Sequence, residues 1–261
     1  MGSTASVHRT AILTGASAGI GEALAVELAG RGWDLGLTAR RLPALEALQQ
    51  RIRAAHPDRR VEVRALDVAD PAAVQRVIPE LAQALGGLDL IVANAGIGNA
   101  KRVGTGNLAT DIGIIQVNLI GAIATIDTAI PIMLAQGRGH IVGISSTASV
   151  RGLPTSASYS ASKAGFHSYL EAARTELAAK GIQVTTISPG FIDTAINRHQ
   201  PWRPFLITAE QGAAKIANLI DRGVRHATVP FFPWAAISLV FWAAPNFVWD
   251  LIAAQLQKRR D

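Results

Sequence analysis

Residues 10 to 21 read TAILTGASAGIG, and how this stretch folds decides the rest of the chain. Its first five residues are uncharged and mostly apolar, which suits a short strand. Gly15, Gly19 and Gly21 follow, and a helical pattern runs from 22 to 29. A strand that enters a helix through glycines is the opening half of a β-α-β unit. The spacing Gly-x-x-x-Gly-x-Gly departs from the Gly-x-Gly-x-x-Gly dinucleotide fingerprint, but the same physics applies. Glycine permits a tight turn and lets a phosphate approach the backbone. The helix behind it offers its N-terminal amides and positive dipole end to a pyrophosphate. Gly21 lets that helix lie close on the sheet.

The same alternation continues outward. Residues 33 to 39 form a second strand, and leucine and isoleucine recur at helical spacing from 42 to 55. VEVRALDV, from 61, is a third strand, with Asp70 and Pro71 placed to cap and start a helix. LDLIVANAG, from 88, is a fourth. A long helix is expected over 111 to 135, softened at Gly113 and Gly121. GHIVGISS from 139 and IQVTTISPG from 182 are further strands, separated by a helix over 158 to 179 that Gly181 closes. A helix over 209 to 221 and a strand near 226 to 229 complete the series. Short strands, apolar on both faces and alternating with helices, predict an α/β fold. It is Rossmann-like and doubly wound: a mostly parallel seven-stranded sheet with helices on both faces. No linker-like stretch divides the chain, so residues 1 to 261 read as one domain.

Composition narrows the function classes. The 261 residues are 49% hydrophobic, which excludes a disordered chain. There is no cysteine, hence no disulfide, thiolate metal site or cysteine nucleophile. The formal charge of +6 is scattered, without a basic block or aromatic-basic interleaving, which argues against nucleic-acid binding. The first residues lack the apolar core of a signal peptide, so a cytoplasmic location is expected. The six histidines, at 8, 56, 140, 167, 199 and 226, have no ligand spacing, and no metal is expected.

In a doubly wound sheet the strand ends after the glycine turn face the ligand. The second strand ends in LTARR, with no acid to hold ribose hydroxyls. Arg40 would instead neutralise a 2'-phosphate, Arg41 is either a second contact or a solvated helix start, and Thr38 adds a hydroxyl. This pattern points to NADP(H). Asp67 would accept from an adenine amino group, with the Val68 amide nearby, or simply cap a turn. Asn94, Ala95 and Gly96 would line the cofactor with their backbone, or Asn94 would tie two turns together. Tyr159 and Lys163, in YSASK, share one helix face at i and i+4. An ammonium beside a phenol favours the phenolate and lowers its pKa.

TGASAGIG, the NAG at 94, Asn118, Ser146, Tyr159 with Lys163, and the PG at 189 occur in one order. In this the chain resembles the classical short-chain dehydrogenase/reductase family, from about residue 8 to about 230. The resemblance implies a nicotinamide cofactor and redox chemistry at an alcohol or carbonyl carbon. It makes Tyr159 the general acid/base and Lys163 the group that tunes it and holds the nicotinamide ribose. Ser146, thirteen residues before the tyrosine, would hold the substrate oxygen, and Asn118 would brace a proton-relaying water. Pro189 and Gly190 would lie beneath the nicotinamide, with Ile192 and Thr194 beside it and Ser17 and Ile20 in the glycine turn. Ala18 departs from relatives that use NADP, which often carry a basic residue there. Phosphate recognition would then rest on Arg40 and its neighbours.

The chemistry agrees with that assignment. Reduction puts negative charge on a carbonyl oxygen, where Ser146 and Tyr159 can donate. Tyr159 can then deliver its proton while Lys163 stabilises the phenolate. A small carbonyl or alcohol substrate, apolar by preference, is expected under a lid over 191 to 210. Ser149, Val150, Leu153 and Phe191 would line its pocket, with Arg198 and Arg203 available for an acidic alternative. A 3-oxoacyl-thioester reductase and a non-catalytic NADP(H)-binding regulatory or scaffold protein are the competing functions. Residues 227 to 261 form a hydrophobic extension whose 23 uncharged residues, 227 to 249, are broken by prolines. It would cover the pocket, join subunits of a homodimer or homotetramer, or touch a membrane peripherally through 227 to 255.

Overall fold

The computed structural model describes residues 9–98, 100–198 and 200–258. His8, His199 and the last two arginines of the chain lie outside them. Seven strands form one parallel sheet in the order β3-β2-β1-β4-β5-β6-β7. The strands are β1 Arg9–Thr14, β2 Trp33–Ala39, β3 Val61–Ala65, β4 Leu90–Ala93, β5 Gly139–Ile144, β6 Ile182–Pro189 and β7 His226–Val229. Their period-two alternation feeds two cores, one on each face. From β1, Ala11 and Leu13 enter a core with Leu24 and Leu28, Leu45 and Leu48, and Ile216. Ile12 points the other way, to Leu81, Ile126, Met133, Phe166 and Leu170.

The helices are α1 Gly19–Gly30, α2 Leu42–Ala55, α3 Pro71–Leu85, α4 Leu108–Ile115, α5 Ala122–Gln136, α6 Ala157–Leu177, α7 Ala209–Asp221, α8 Trp234–Ala243 and α9 Asn246–Lys258. Asp70 caps α3, its side chain accepting from the Ala72 and Ala73 amides, as its place before Pro71 predicts. The long helix expected over 111 to 135 is instead α4 and α5 joined by a π-helical turn, Gln116–Gly121. Hydrophobic periodicity registers the helix but not a local change in its bonding. The combined stretch Leu108–Gln136 is long and apolar enough to cross a membrane. Here Ile114, Ala122, Ile126, Ala129 and Met133 are buried.

Two arrangements position the site. Strand order reverses between β1 and β4, which opens a crevice at their carboxyl ends. In addition, α6 lies hard against β5 at Gly143. A Cβ there would stand 2.3 Å from Leu170 Cδ1 and 2.9 Å from Phe166 Cζ. That close approach carries Tyr159 and Lys163, at the start of α6, to the end of β5.

Candidate active site

The crevice is a groove of about 430 Å³ that crosses the strand ends in sequence. Gly15, Ser17, Gly19 and Ile20 line it after β1, Arg40 and Arg41 after β2, and Asp67 and Val68 after β3. Asn94, Ala95 and Gly96 follow β4, and Pro189, Gly190, Ile192 and Thr194 complete the far side. Gly15 and Gly19 adopt φ of +69° and +59°, where other residues are strained. A Cβ on Gly19 would lie 2.9 Å from Thr194 Cγ2. Gly21 does not line the groove. Its Cβ would meet the Gly15 carbonyl oxygen at 2.4 Å, so Gly21, grouped by sequence with the cofactor-binding glycines, serves close packing instead.

Two features test the fit of a dinucleotide. Helix α1 has Ala18 at its N-cap, which supplies no side-chain cap, so its first-turn amides lack that partner. Arg40 is exposed and makes no hydrogen bond or ion pair among the described residues. Unclaimed amides after β1 and an unclaimed guanidinium after the neighbouring β2 fit two phosphate positions. Arg41 is partly committed: its Nη2 donates to the Ser17 carbonyl at 3.0 Å and to Ser17 Oγ at 3.3 Å. Thr38 is placed elsewhere. It is buried, with its hydroxyl 3.4 Å from the Leu13 carbonyl, and Ala39 lines the groove in its stead. Asp67 is exposed and accepts from the Ala69 amide at 3.0 Å. Asn94 does tie turns together, donating to the Thr14 carbonyl at 2.9 Å, while also lining the groove.

At the end of β5 the polar groups converge. Ser146 Oγ hydrogen-bonds the Tyr159 phenol and accepts from the Ala148 amide at 3.1 Å. Lys163 is buried and its Nζ donates to the Ile144 carbonyl at 2.8 Å. Ser145 is engaged differently, donating to the Lys163 carbonyl at 3.1 Å. Asn118 lies in the π-helical turn and is fully buried. Its amide accepts from the Ile97 N–H at 2.8 Å and donates to the Ile97 carbonyl at 2.9 Å. It therefore braces the strand-four loop, out of contact with the groove.

The electrostatics differ from the expectation at one point. Burial raises the Tyr159 pKa and the Ser146 hydrogen bond opposes that rise; the lysine is not among the causes. The Lys163 ammonium stands 6.0 Å from the Tyr159 ring centroid, and burial lowers its own pKa to about 8. His140, at the opposite end of the sheet, is pushed down to about 4 by burial, its Nε2 2.8 Å from Thr185 Oγ1. His167 lies against His226 and Glu171, away from the groove. Among the described residues no cluster of histidines and acids could hold a metal.

A second cavity, about 190 Å³ and mainly apolar, opens beside the groove. Ser146, Tyr159 and Gly190 line both. Leu153 and Phe191 line this cavity, whereas Ser149 and Val150 do not. Arg198 and Arg203 are bound to Asp193, at 3.3 and 2.7 Å, so they brace the segment over the cavity. The described part of the C-terminal extension forms a roof, with Trp234, Ile237, Phe241 and Leu256 facing in. Trp234 stacks on Gly190, where a Cβ would meet its Nε1 at 2.3 Å. Arg151, which carries no local sequence signal, holds the other end of this roof.

Residues 9–203 match the short chain dehydrogenase family model. An uncharacterized oxidoreductase of Myxococcus xanthus is 39% identical over 256 residues, 96% of this chain and 98% of that protein. Among solved structures, an alcohol dehydrogenase of the archaeon Thermococcus sibiricus, complexed with 5-hydroxy-NADP, superposes with a TM-score of 0.78 at 26% identity. It covers 85% of this chain and 95% of its own. A short chain dehydrogenase/reductase of Burkholderia phymatum in complex with NAD gives 0.78 at 25% identity, covering 85% and 88%. The chain belongs to the short-chain dehydrogenase family and is an NAD(P)-dependent oxidoreductase of carbonyl or alcohol groups.

Proposed function

We propose that this member of the family interconverts an apolar ketone or aldehyde and its alcohol, using NADP(H), with Tyr159 as general acid/base. One observation carries the reading: Ser146 and Tyr159 are the hydroxyl-bearing residues among those that line both the dinucleotide groove and the apolar cavity. A carbonyl oxygen entering from the cavity meets both hydroxyls. As that oxygen gains charge, Ser146 and Tyr159 donate to it where the charge grows. Burial keeps the phenol protonated, which suits the acid role in reduction. When the phenol gives up its proton, the nearby Lys163 ammonium stabilises the phenolate left behind. A bound nicotinamide supplies or accepts the hydride.

NADP(H) is favoured by Arg40, unpaired among the described residues, and by the absence of an acid at the end of β2. Pro189, Gly190 and Thr194 would border the nicotinamide end, and Gly15, Gly19 and Ile20 the pyrophosphate. We read residues 1 to 261 as a single catalytic domain, with 191 to 210 as its lid and 227 to 261 as a hydrophobic extension. Outer side chains of that extension, including Phe231, Phe232, Trp242, Phe247 and Leu251, are 69 to 79% exposed. Such a patch supports a homo-oligomer.

The direct test replaces Tyr159 by phenylalanine. Ketone reduction falls by about 10²-fold or more. NADPH binding, followed by tryptophan quenching, stays close to wild type. Retained turnover would remove Tyr159 from the acid role.

A further inference from the structure

We propose that Arg151 is a positioning residue that latches the roof of the substrate cavity and so sets preference for large apolar substrates. The inference rests on the carbonyl-reductase reading of the site and adds to it the part that selects substrate size.

Arg151 follows the short 3-10 turn Thr147–Ser149, in the loop that runs from Ser146 towards Tyr159. Its guanidinium reaches across to the corner between α8 and α9. Nε donates to the Phe241 carbonyl at 2.9 Å, Nη2 to the Ala244 carbonyl, and Nη1 to Asn246 Oδ1 at 3.2 Å. Its carbon Cζ lies 5.6 Å from the Trp249 ring centroid. The last carbonyls of a helix lack intrahelical partners and form its negative end. One planar cation answers two of them while covering an aromatic face. No carboxylate pairs with Arg151 among the described residues, so its charge is committed to this corner.

The roof depends on such an anchor. Helix α8 is apolar around its circumference, and Leu239, Val240 and Trp242 are exposed on its outer side. Its beginning is seated by Trp234 on Gly190. Its end is seated by Arg151, immediately beside Phe241, which lines the cavity and meets Trp249 edge-on at 5.1 Å. Releasing Arg151 frees Phe241 and the α9 residue Leu256 to move away from the cavity. Ser146 and Tyr159 are held separately, by the 3-10 turn and by α6. A short substrate touching only those hydroxyls loses nothing, whereas one long enough to reach the roof loses its apolar contacts.

The test compares Arg151→Ala and Arg151→Lys with wild type on butan-2-one and decan-2-one, with NADPH. For Arg151→Ala the KM for decan-2-one rises about tenfold, while kcat and all butan-2-one constants stay within about twofold. Tryptophan emission moves to the red as buried Trp249 is wetted. Arg151→Lys, which keeps the charge but not the fork, restores part of both effects, and it alone serves if the alanine variant does not fold. Equal losses on both ketones, or no loss on either, would overturn the latch. A wild-type protein that binds NADPH but reduces neither ketone counts against the carbonyl reading instead. The emission shift then decides the latch by itself, and an unchanged spectrum rejects it.

Discussion

Replacing Lys163 by methionine should stabilise the cofactor-free protein while abolishing its turnover. The ammonium is buried, with its Nζ on the Ile144 carbonyl, and its pKa has fallen from 10.5 to about 8. A native pKa below the unfolded one means that folding disfavours the protonated form. At pH 7 both states bind the proton and the penalty is complete. The fall from 10.5 to about 8, at about 1.36 kcal/mol per tenfold change in proton affinity, makes it about 3 kcal/mol. Between pH 8 and 10.5 the unfolded chain binds more protons, so stability rises with pH until the penalty is gone. Methionine removes the charge at similar volume but leaves the Ile144 carbonyl without its donor, a loss of about 1 kcal/mol. The net gain at pH 7 is about 2 kcal/mol, or roughly 5 °C in Tm for a chain of this size. Urea melts of both proteins at pH 7 and pH 10 give the check. The difference between them should vanish or slightly reverse at the higher pH, where most of the penalty is gone. A Lys163→Met protein no more stable than wild type at pH 7, with the same pH slope, would refute the argument.

Two further predictions follow from the groove and the roof. Arg40→Ala should raise the KM for NADPH by about 10- to 100-fold, the worth of a charge-assisted contact to phosphate, and leave that for NADH within about twofold. Steady-state kinetics with both cofactors measure it, and equal effects on the two would place Arg40 outside the phosphate site. The exposed outer face of α8 and α9 should be covered by a second copy of the chain. Light scattering should give a multiple of the 27.4 kDa monomer mass. Substituting Phe231, Phe232 and Trp242 by serine should reduce that multiple. A monomer that floats with anionic liposomes would assign the face to a membrane surface instead.

Most of the sheet is legible in the sequence because its strands are short, apolar on both faces and punctuated by glycine or proline. The glycine turn is legible for the same local reason. What escaped depends on distance rather than pattern. The sequence offers Thr38 as a hydroxyl contact in the groove, yet strand alternation turns its hydroxyl to Leu13 and leaves Ala39 at the edge. The π-helical turn around Asn118 keeps the apolar repeat of the helix it interrupts. Arg151 acts on Phe241, 90 residues away, and nothing near it in the chain announces this. The i, i+4 spacing places Lys163 beside Tyr159 correctly, but spacing cannot rank burial against charge. In the folded chain burial prevails at both groups.

That ranking explains how the molecule distributes its unsatisfied groups. At the amino ends of the strands the carboxylates are answered. Asp34, with no exposed surface, accepts from Arg60 Nε at 2.8 Å, and Asp89 accepts from both the amide and the hydroxyl of Thr10. Beside the groove the pattern is reversed. Helix α3 receives a cap from Asp70 while α1, facing the crevice, receives no side-chain cap. Lys163 is buried on a backbone carbonyl with no carboxylate partner among the described ion pairs. Each of these costs stability in the isolated chain, and on the proposed reading a cofactor meeting the α1 amides and the ammonium would return it on binding. The uncapped start of α1 and the buried Lys163 both border the groove, where fixed donors facing a ligand are what a preorganised site requires.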